Sequence, residues 1–251
     1  MSPLPKLSLV EIGAYDAPAH ESLSPFCLKA HRALKYLGLP YERKILFNPS
    51  GGREFNPTGQ FPTLLVGDER VPDSSAILRK LDQLSSGRLN PDPDPRVRAE
   101  ALLWEELADT SVNGFLIASR WADDRNWPRV RDTMLAKVPG AIRGFIGNRA
   151  RKQIIGKLLA RDVWRAGPEA CWRRFQEQLD QLEARAPKTG HWVGSALSVA
   201  DLGLFGQLHS LRLPLTPWQA EEVSKRPTLS AYLDRIQQET GKPAATPAVA
   251  A

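Results

Sequence analysis

The sequence predicts a mixed α/β domain followed by an all-helical one. Three observations carry this reading. Up to Leu84, short apolar runs alternate with stretches of helically spaced apolar residues. Ser85 to Pro95, with a Gly and three prolines alternating with Asp, then breaks the pattern. Beyond it the spacing is helical almost throughout and strand-like alternation is scarce. The predicted organisation is therefore a first domain over 1–84, a linker over 85–95, a helical domain over 96–240 and an unpacked tail of Ala, Pro and Thr over 241–251.

Leu7 to Ile12 reads as a buried strand, being short, apolar and rich in Val and Ile. Phe26, Ala30, Ala33, Leu34 and Leu37 fall at helical spacing, so Pro25 to Leu37 reads as a helix that Gly38 ends. Tyr41 to Phe47 reads as a second strand, and Asn48 to Gln60 as loop or broken helix. Thr63 to Val66 and Arg70 to Pro72 read as a hairpin across Gly67-Asp68-Glu69. Ile77, Leu78 and Leu81 place a helix over Asp73 to Leu84. The order β-α-β, loop, β-β-α is that of a thioredoxin-like domain with a mixed four-stranded sheet. Six helices are expected in the second half, a helical bundle: Arg96–Ser119, Pro128–Val138, Ala141–Val163, Pro168–Ala186, Val199–Leu211 and Pro227–Thr240.

Composition narrows the function classes. At 251 residues, 42% hydrophobic and 25% charged, the chain can bury a core and is not a disordered type. No run approaches the ~20 apolar residues of a membrane helix. Met1 to Lys6 lacks a basic and apolar leader pattern, so a cytoplasmic location is expected. Two cysteines and four scattered histidines suggest neither a disulfide scaffold nor a metal site, and no nucleotide-binding glycine loop is present. Of the net charge of +6, much sits between Arg143 and Arg174. It reads as a solvated helix face, or else as an anion-attracting surface. A nucleic-acid strip would interleave aromatics for base stacking, whereas Ile154, Ile155, Leu158 and Leu159 look like a helix's buried stripe, so no nucleic acid is expected.

Three short segments carry candidate chemistry. Ser24-Pro25 has the form of a helix start, with Ser as N-cap and Pro at the first position. The same geometry presents free N–H groups, a positive dipole end and a hydroxyl to an anion. A thiol with a pKa near ~8.5 is only a few per cent thiolate at neutral pH, and lowering it by about two units needs roughly 2.7 kcal/mol. One charge-assisted hydrogen bond plus a helix end is of that order. Cys27, in the first turn, reads either as a small core residue or as a second nucleophile with a depressed pKa. Phe61-Pro62-Thr63 puts proline directly before a strand, a plain turn or a cis bond that frees the Phe61 backbone for an extended, peptide-like ligand. Asp73-Ser74-Ser75 opens a helix, either as a cap or as a clamp for an amino-acid headgroup.

In this order and spacing the segments resemble those of a glutathione transferase. Asn56-Pro57-Thr58-Gly59-Gln60-Phe61-Pro62-Thr63-Leu64 is similar to that family's loop into its cis-proline, Val71-Pro72-Asp73-Ser74-Ser75-Ala76-Ile77 to its γ-glutamyl site, and Ser24-Pro25-Phe26-Cys27 to the serine-type turn of theta- and delta-like classes. Ser198-Val199-Ala200-Asp201 resembles its buried capping box. The resemblance implies glutathione as co-substrate, without metal or nucleotide, a hydrophobic electrophile, a role in detoxification and a homodimer. It implies that Ser24 donates to the thiolate, that Phe61 and Pro62 meet the cysteinyl unit, and that Asp73 and Ser74 hold the γ-glutamyl end. Arg53 or Gln60 would meet the glycyl carboxylate, where the His that some serine classes carry at the place of Gly59 is missing. Trp104, Phe115 and Trp121 are candidates for the electrophile cleft between the domains, or else core aromatics. The helical stretch Trp127 to Arg165 departs from a minimal transferase, and is expected to enlarge the second domain, gate the cleft or face a partner. Two other functions fit the same fold: a non-catalytic binding or scaffold protein, and a glutathione-dependent thiol reductase or peroxidase using Cys27.

Overall fold

The computed structural model describes residues 5–13, 21–46, 49–160 and 163–241, so His20 and most of the tail lie outside it. The first half is a four-stranded mixed sheet in the order β2-β1-β3-β4. Its strands are β1 (Leu7–Ile12), β2 (Glu42–Leu46), β3 (Thr63–Val66) and β4 (Glu69–Pro72). β1 runs parallel to β2, with Leu9 opposite Arg43, and antiparallel to β3, with Leu7 opposite Val66. Helix α1 (Pro25–Leu37) makes the long crossover that parallel pairing needs. Leu7, Leu9, Val10 and Leu64 are buried on the central strands, whereas most of edge strand β2 is exposed. The broken segment before β3 contains a 3-10 turn, Pro49–Glu54, and helix α2 (Ser74–Leu84) closes the thioredoxin-like half.

The stretch expected to be a linker is packed. Leu89 is buried, and the Leu89 and Asn90 N–H groups both donate to Asp82 Oδ1, at 2.7 and 3.2 Å. Helix α3 (Pro95–Leu107) follows, with Asp94 as its N-cap. It continues through a π turn at Ala108–Val112, α4 (Asn113–Ile117) and a second π turn at Ala118–Ala122, three residues past the expected end at Ser119. Next come α5 (Trp127–Met134), α6 (Gly140–Ala160), α7 (Gly167–Arg185), α8 (Val199–Leu211), α9 (Pro217–Ser224) and α10 (Pro227–Gly241). Helix α9 was not foreseen; its eight residues, PWQAEEVS, are too few and too polar to show a periodic stripe. The stripe expected on α6 is incomplete: Leu158 is buried, Ile154 and Ile155 are half-buried, and Leu159 is exposed.

Helix α8 is the axis of the molecule. It is buried along almost its whole length and packs against α1 and α3. Its start is the expected capping box, in which the Asp201 carboxylate takes the Ser198 N–H at 2.9 Å. Asp201 also accepts from the Trp192 N–H and the Tyr232 hydroxyl, both at 2.8 Å. Gly206 lets α8 approach α1: a Cβ there would lie 2.9 Å from the Pro25 carbonyl oxygen. No described helix is long and apolar enough to cross a membrane.

Candidate functional site

Ser24 caps α1 with an extended backbone (φ −88°, ψ 121°), and its Oγ accepts the Cys27 N–H at 3.3 Å. Its own N–H donates to Ser22 Oγ at 3.2 Å. The hydroxyl is half-buried at a helix end with Pro25 in the first position, so capping and anion binding share one geometry. Cys27 departs from the expectation of a depressed pKa. Its side chain is fully buried, and burial pushes the thiol up to about 12 although the Ser24 hydroxyl pulls the other way. Desolvation disfavours the thiolate more than the helix end favours it, so Cys27 is a core thiol. Cys171 is buried with the same result.

A cavity of about 280 Å³ lies beside the sheet's end. The Phe61–Pro62 bond that borders it is cis. Gln60, Phe61, Pro62, Asp73 and Ser74 all line it, together with Phe26 from the first turn of α1. Asp73 caps α2, accepting the Ala76 N–H at 3.0 Å, and sits at φ 76°, a conformation that costs a non-glycine residue about 1–3 kcal/mol. Ser75 turns away into another network, described below. Ser24 and Arg53 are not among the lining residues: Ser24 stands two positions before Phe26, and Arg53 is exposed on the 3-10 turn. Gly59 explains why no larger residue stands there, since it holds φ +70° and a Cβ would meet Arg53 Cγ at 3.2 Å. Asn56 and Thr58 also line the cavity and were missed in the sequence. Asn56 Oδ1 accepts the Thr58 N–H at 3.1 Å while its Nδ2 donates to the Gln60 carbonyl at 3.0 Å, an Asx turn that shapes the wall.

The three candidate aromatics separate. Phe115 is buried and packs on Phe175 with ring centroids 5.5 Å apart. Trp104 packs edge-on against Trp192 at 5.2 Å. Neither lines the cavity at Phe61–Pro62; Phe115 is part of the helical core, and the half-buried Trp104 packs against it. Trp121 lines a larger cavity of about 470 Å³ between the continuation of α3, α6 and α7.

Two family models match the chain: the glutathione S-transferase N-terminal domain over residues 25–126, and the glutathione S-transferase C-terminal domain over residues 159–235. The chain belongs to the glutathione transferase family. Solved structures with the same fold include the β-etherase LigF from Sphingobium sp. strain SYK-6, 22% identical, covering 97% of each chain with a TM-score of 0.58. Glutathione transferase GSTFuA3 from Phanerochaete chrysosporium is 19% identical over 94% of this chain and 98% of its own, with a TM-score of 0.67. A glutathione S-transferase from Methylobacterium radiotolerans, in complex with glutathione sulfonate, is 17% identical over 98% and 99%, with a TM-score of 0.57.

In this member of the family, charged residues buried between the two halves hold α1, and sequence reasoning did not find them. Lys29 Nζ donates to Glu105 Oε1 at 2.8 Å, to Ser75 Oγ at 3.1 Å, and to Asp109. Ser75 Oγ donates to Glu105 Oε1 at 2.8 Å, and Gln207 Nε2 to Asp109 Oδ1 at 3.2 Å. Burial pushes the Asp109 carboxyl up against the pull of Lys29. Arg120, also buried, donates through Nη1 to the Leu23 carbonyl at 2.5 Å, one residue before Ser24. Burial lowers its pKa to about 10. Sequence spacing alone would assign such cations to solvent. The one available signal is that Lys29 and Arg120 interrupt otherwise apolar stripes of their helices.

Proposed function

We propose that this protein conjugates glutathione to electrophilic small molecules through a thiolate stabilised by Ser24. The observation that carries this reading is the cavity at Phe61–Pro62, which gathers Gln60, Asp73 and Ser74 beside the first turn of α1. An extended tripeptide suits it. The Phe61 backbone would pair with the cysteinyl unit, Asp73 would take the ammonium of the γ-glutamyl end, and Ser74 with the α2 N–H groups would take its carboxylate. Gln60 lines the side where the glycyl carboxylate would lie, with Arg53 exposed beside Gly59. The sulfur would then meet the Ser24 hydroxyl at the positive end of α1. The catalytic contribution is a higher thiolate fraction and its placement against the electrophile. The buried, high-pKa Cys27 favours this over a thiol reductase.

Calorimetric titration with glutathione, combined with Ser24→Ala, tests the proposal. Glutathione should bind to both forms. The variant should lose about 1–3 kcal/mol of thiolate stabilisation, raising the pKa of the bound thiol by about one to two units and lowering turnover at neutral pH about tenfold or more. Unchanged turnover and an unchanged thiol pKa in the variant would overturn the role of Ser24. No heat of binding would overturn the reading as a whole.

A further inference from the structure

Helix α6 presents a surface that the candidate site does not use. Residues 127–158 lie between the stretches that the two family models match, and most of α6 falls there. Of the seven large apolar side chains exposed among the described residues, four are on α6: Ile142, Phe145, Ile146 and Leu159. Phe145 is the most exposed of all seven, at 76%. From Thr133 to Ala160 the sequence holds six cations and no Asp or Glu. Two of these cations, Arg149 and Lys152, are exposed, and no ion pair to either occurs among the described residues.

Packing decides which way this helix faces. Gly147 lies against α5, where a Cβ would meet Arg131 Cγ at 3.1 Å. Leu158 is buried, and Arg151 donates to the Trp121 and Ala122 carbonyls at 2.6 and 3.0 Å. At 3.6 residues per turn, Ile142, Phe145, Ile146, Arg149, Lys152 and Leu159 fall on the side away from these contacts. On that side a Cβ at Gly156 would meet nothing within 4 Å. Apolar and cationic groups thus share one outward face, about 25 Å long from Ile142 to Leu159.

We propose that this face of α6 docks the protein on an anionic lipid surface. The helix lies flat, with Ile142, Phe145 and Ile146 in the acyl boundary and Arg149 and Lys152 at the lipid phosphates. Charge complementarity selects this occupant. Long basic side chains reach the headgroups while their stems lie along hydrocarbon, so mixed apolar and cationic positions on one face both find partners there. A second copy of the chain would, in a two-fold contact, set the same cations against each other. Nucleic acid would leave the aliphatic Ile142, Ile146 and Leu159 without partners, because base stacking needs aromatics. The inference goes beyond glutathione conjugation and does not depend on it.

The test is co-sedimentation of the full chain with phosphatidylcholine vesicles, with and without about 30% phosphatidylserine. The protein should bind the anionic vesicles at low salt, bind them less as salt rises, and bind pure phosphatidylcholine far more weakly. Arg149→Ser combined with Lys152→Ser should weaken binding about 25-fold, at about fivefold per cation, and Phe145→Ser about tenfold. All three positions are exposed, so both variants should melt at the temperature of the parent. No binding of the parent to anionic vesicles overturns the proposal, as does equal binding to the two kinds of vesicle. Parent-like binding by both variants overturns it too, because the contact then lies elsewhere. Sedimentation velocity supplies the last arm: self-association lost in Phe145→Ser, with vesicle binding unchanged, would give the face to a second copy of the chain.

Discussion

Lys29→Met removes the cation that bonds both acids of the buried network and leaves those acids in place. The Lys29 side chain is 1% exposed, and the two carboxylates it meets, Glu105 and Asp109, are 6% and 11% exposed. Met keeps the length and apolar body of the side chain, so the change isolates charge. Removing one partner of a buried ion pair costs about 3–5 kcal/mol. In a protein of this size each kcal/mol moves Tm by about 2–4 °C, so the melting point should fall by about 6–20 °C. The pH dependence identifies the cause. Asp109 is already raised by burial, and without Lys29 nothing cationic in the network opposes that shift. A carboxyl whose folded pKa stands above its unfolded value binds its proton more tightly when folded, so the stability of the variant falls as pH rises through the folded pKa. Its deficit should therefore be full at about pH 8 and smaller at about pH 5, and adding Asp109→Asn should recover part of it. Urea denaturation of parent, single and double variants at both pH values measures this. An equal deficit at the two pH values, unrelieved by Asp109→Asn, would show that lost packing is responsible and that the charge argument is wrong.

Two further outcomes follow from the same interior. Cys27 is fully buried with its thiol pushed up to about 12, so a thiol reagent should leave it unmodified in the native protein and react on unfolding, and Cys27→Ala should keep conjugation; rapid native labelling would contradict this. Burial raises the Glu21 carboxyl, but the hydrogen bond from His31 and the charges of Arg32 and Lys35 outweigh it and hold the pKa at about 2, below the ordinary 4.5. A carboxylate depressed in the fold adds stability above its unfolded pKa, and that stability is lost as pH falls from about 4.5 through about 2. Glu21→Gln should cost about 1–2 kcal/mol at neutral pH, after screening of a partly exposed side chain, and cost nothing below pH ~2 in denaturation experiments.

The elements that were legible in the sequence are those whose local signals agree with their packing. β1 is apolar and lies at the centre of the sheet, α1 has a Ser-Pro start and a Gly stop, and Gly67 sits where the β3–β4 hairpin turns. Phe61-Pro62 stood out because proline directly before a strand interior is costly unless the backbone is unusual. What stayed hidden depends on the second domain. Lys29, His31 and Arg32 lie within one turn of α1 and are polar types that composition assigns to solvent, yet all three are buried. Trp104 and Phe115 could not be divided between core and cleft for the same reason: their neighbours Trp192 and Phe175 come from far along the chain.

Those buried contacts decide where the candidate hydroxyl stands. Arg120 holds the Leu23 carbonyl on one side of Ser24, and Gly206 brings α8 against the Pro25 carbonyl on the other. Further along α1, Lys29 is tied to α3, and Arg32 donates to the Gln237 carbonyl of α10 at 2.9 Å. The mouth of α1 is thus fixed by four attachments to helices of the second half, whereas the cavity at Phe61–Pro62 is built from the first half alone. The cavity belongs to one half, and the position of the candidate hydroxyl is set by the other. Separating the halves would expose Lys29 without its acids and free Ser24 from its register. The arrangement of the candidate site therefore depends on both halves, although every residue lining its cavity comes from the first.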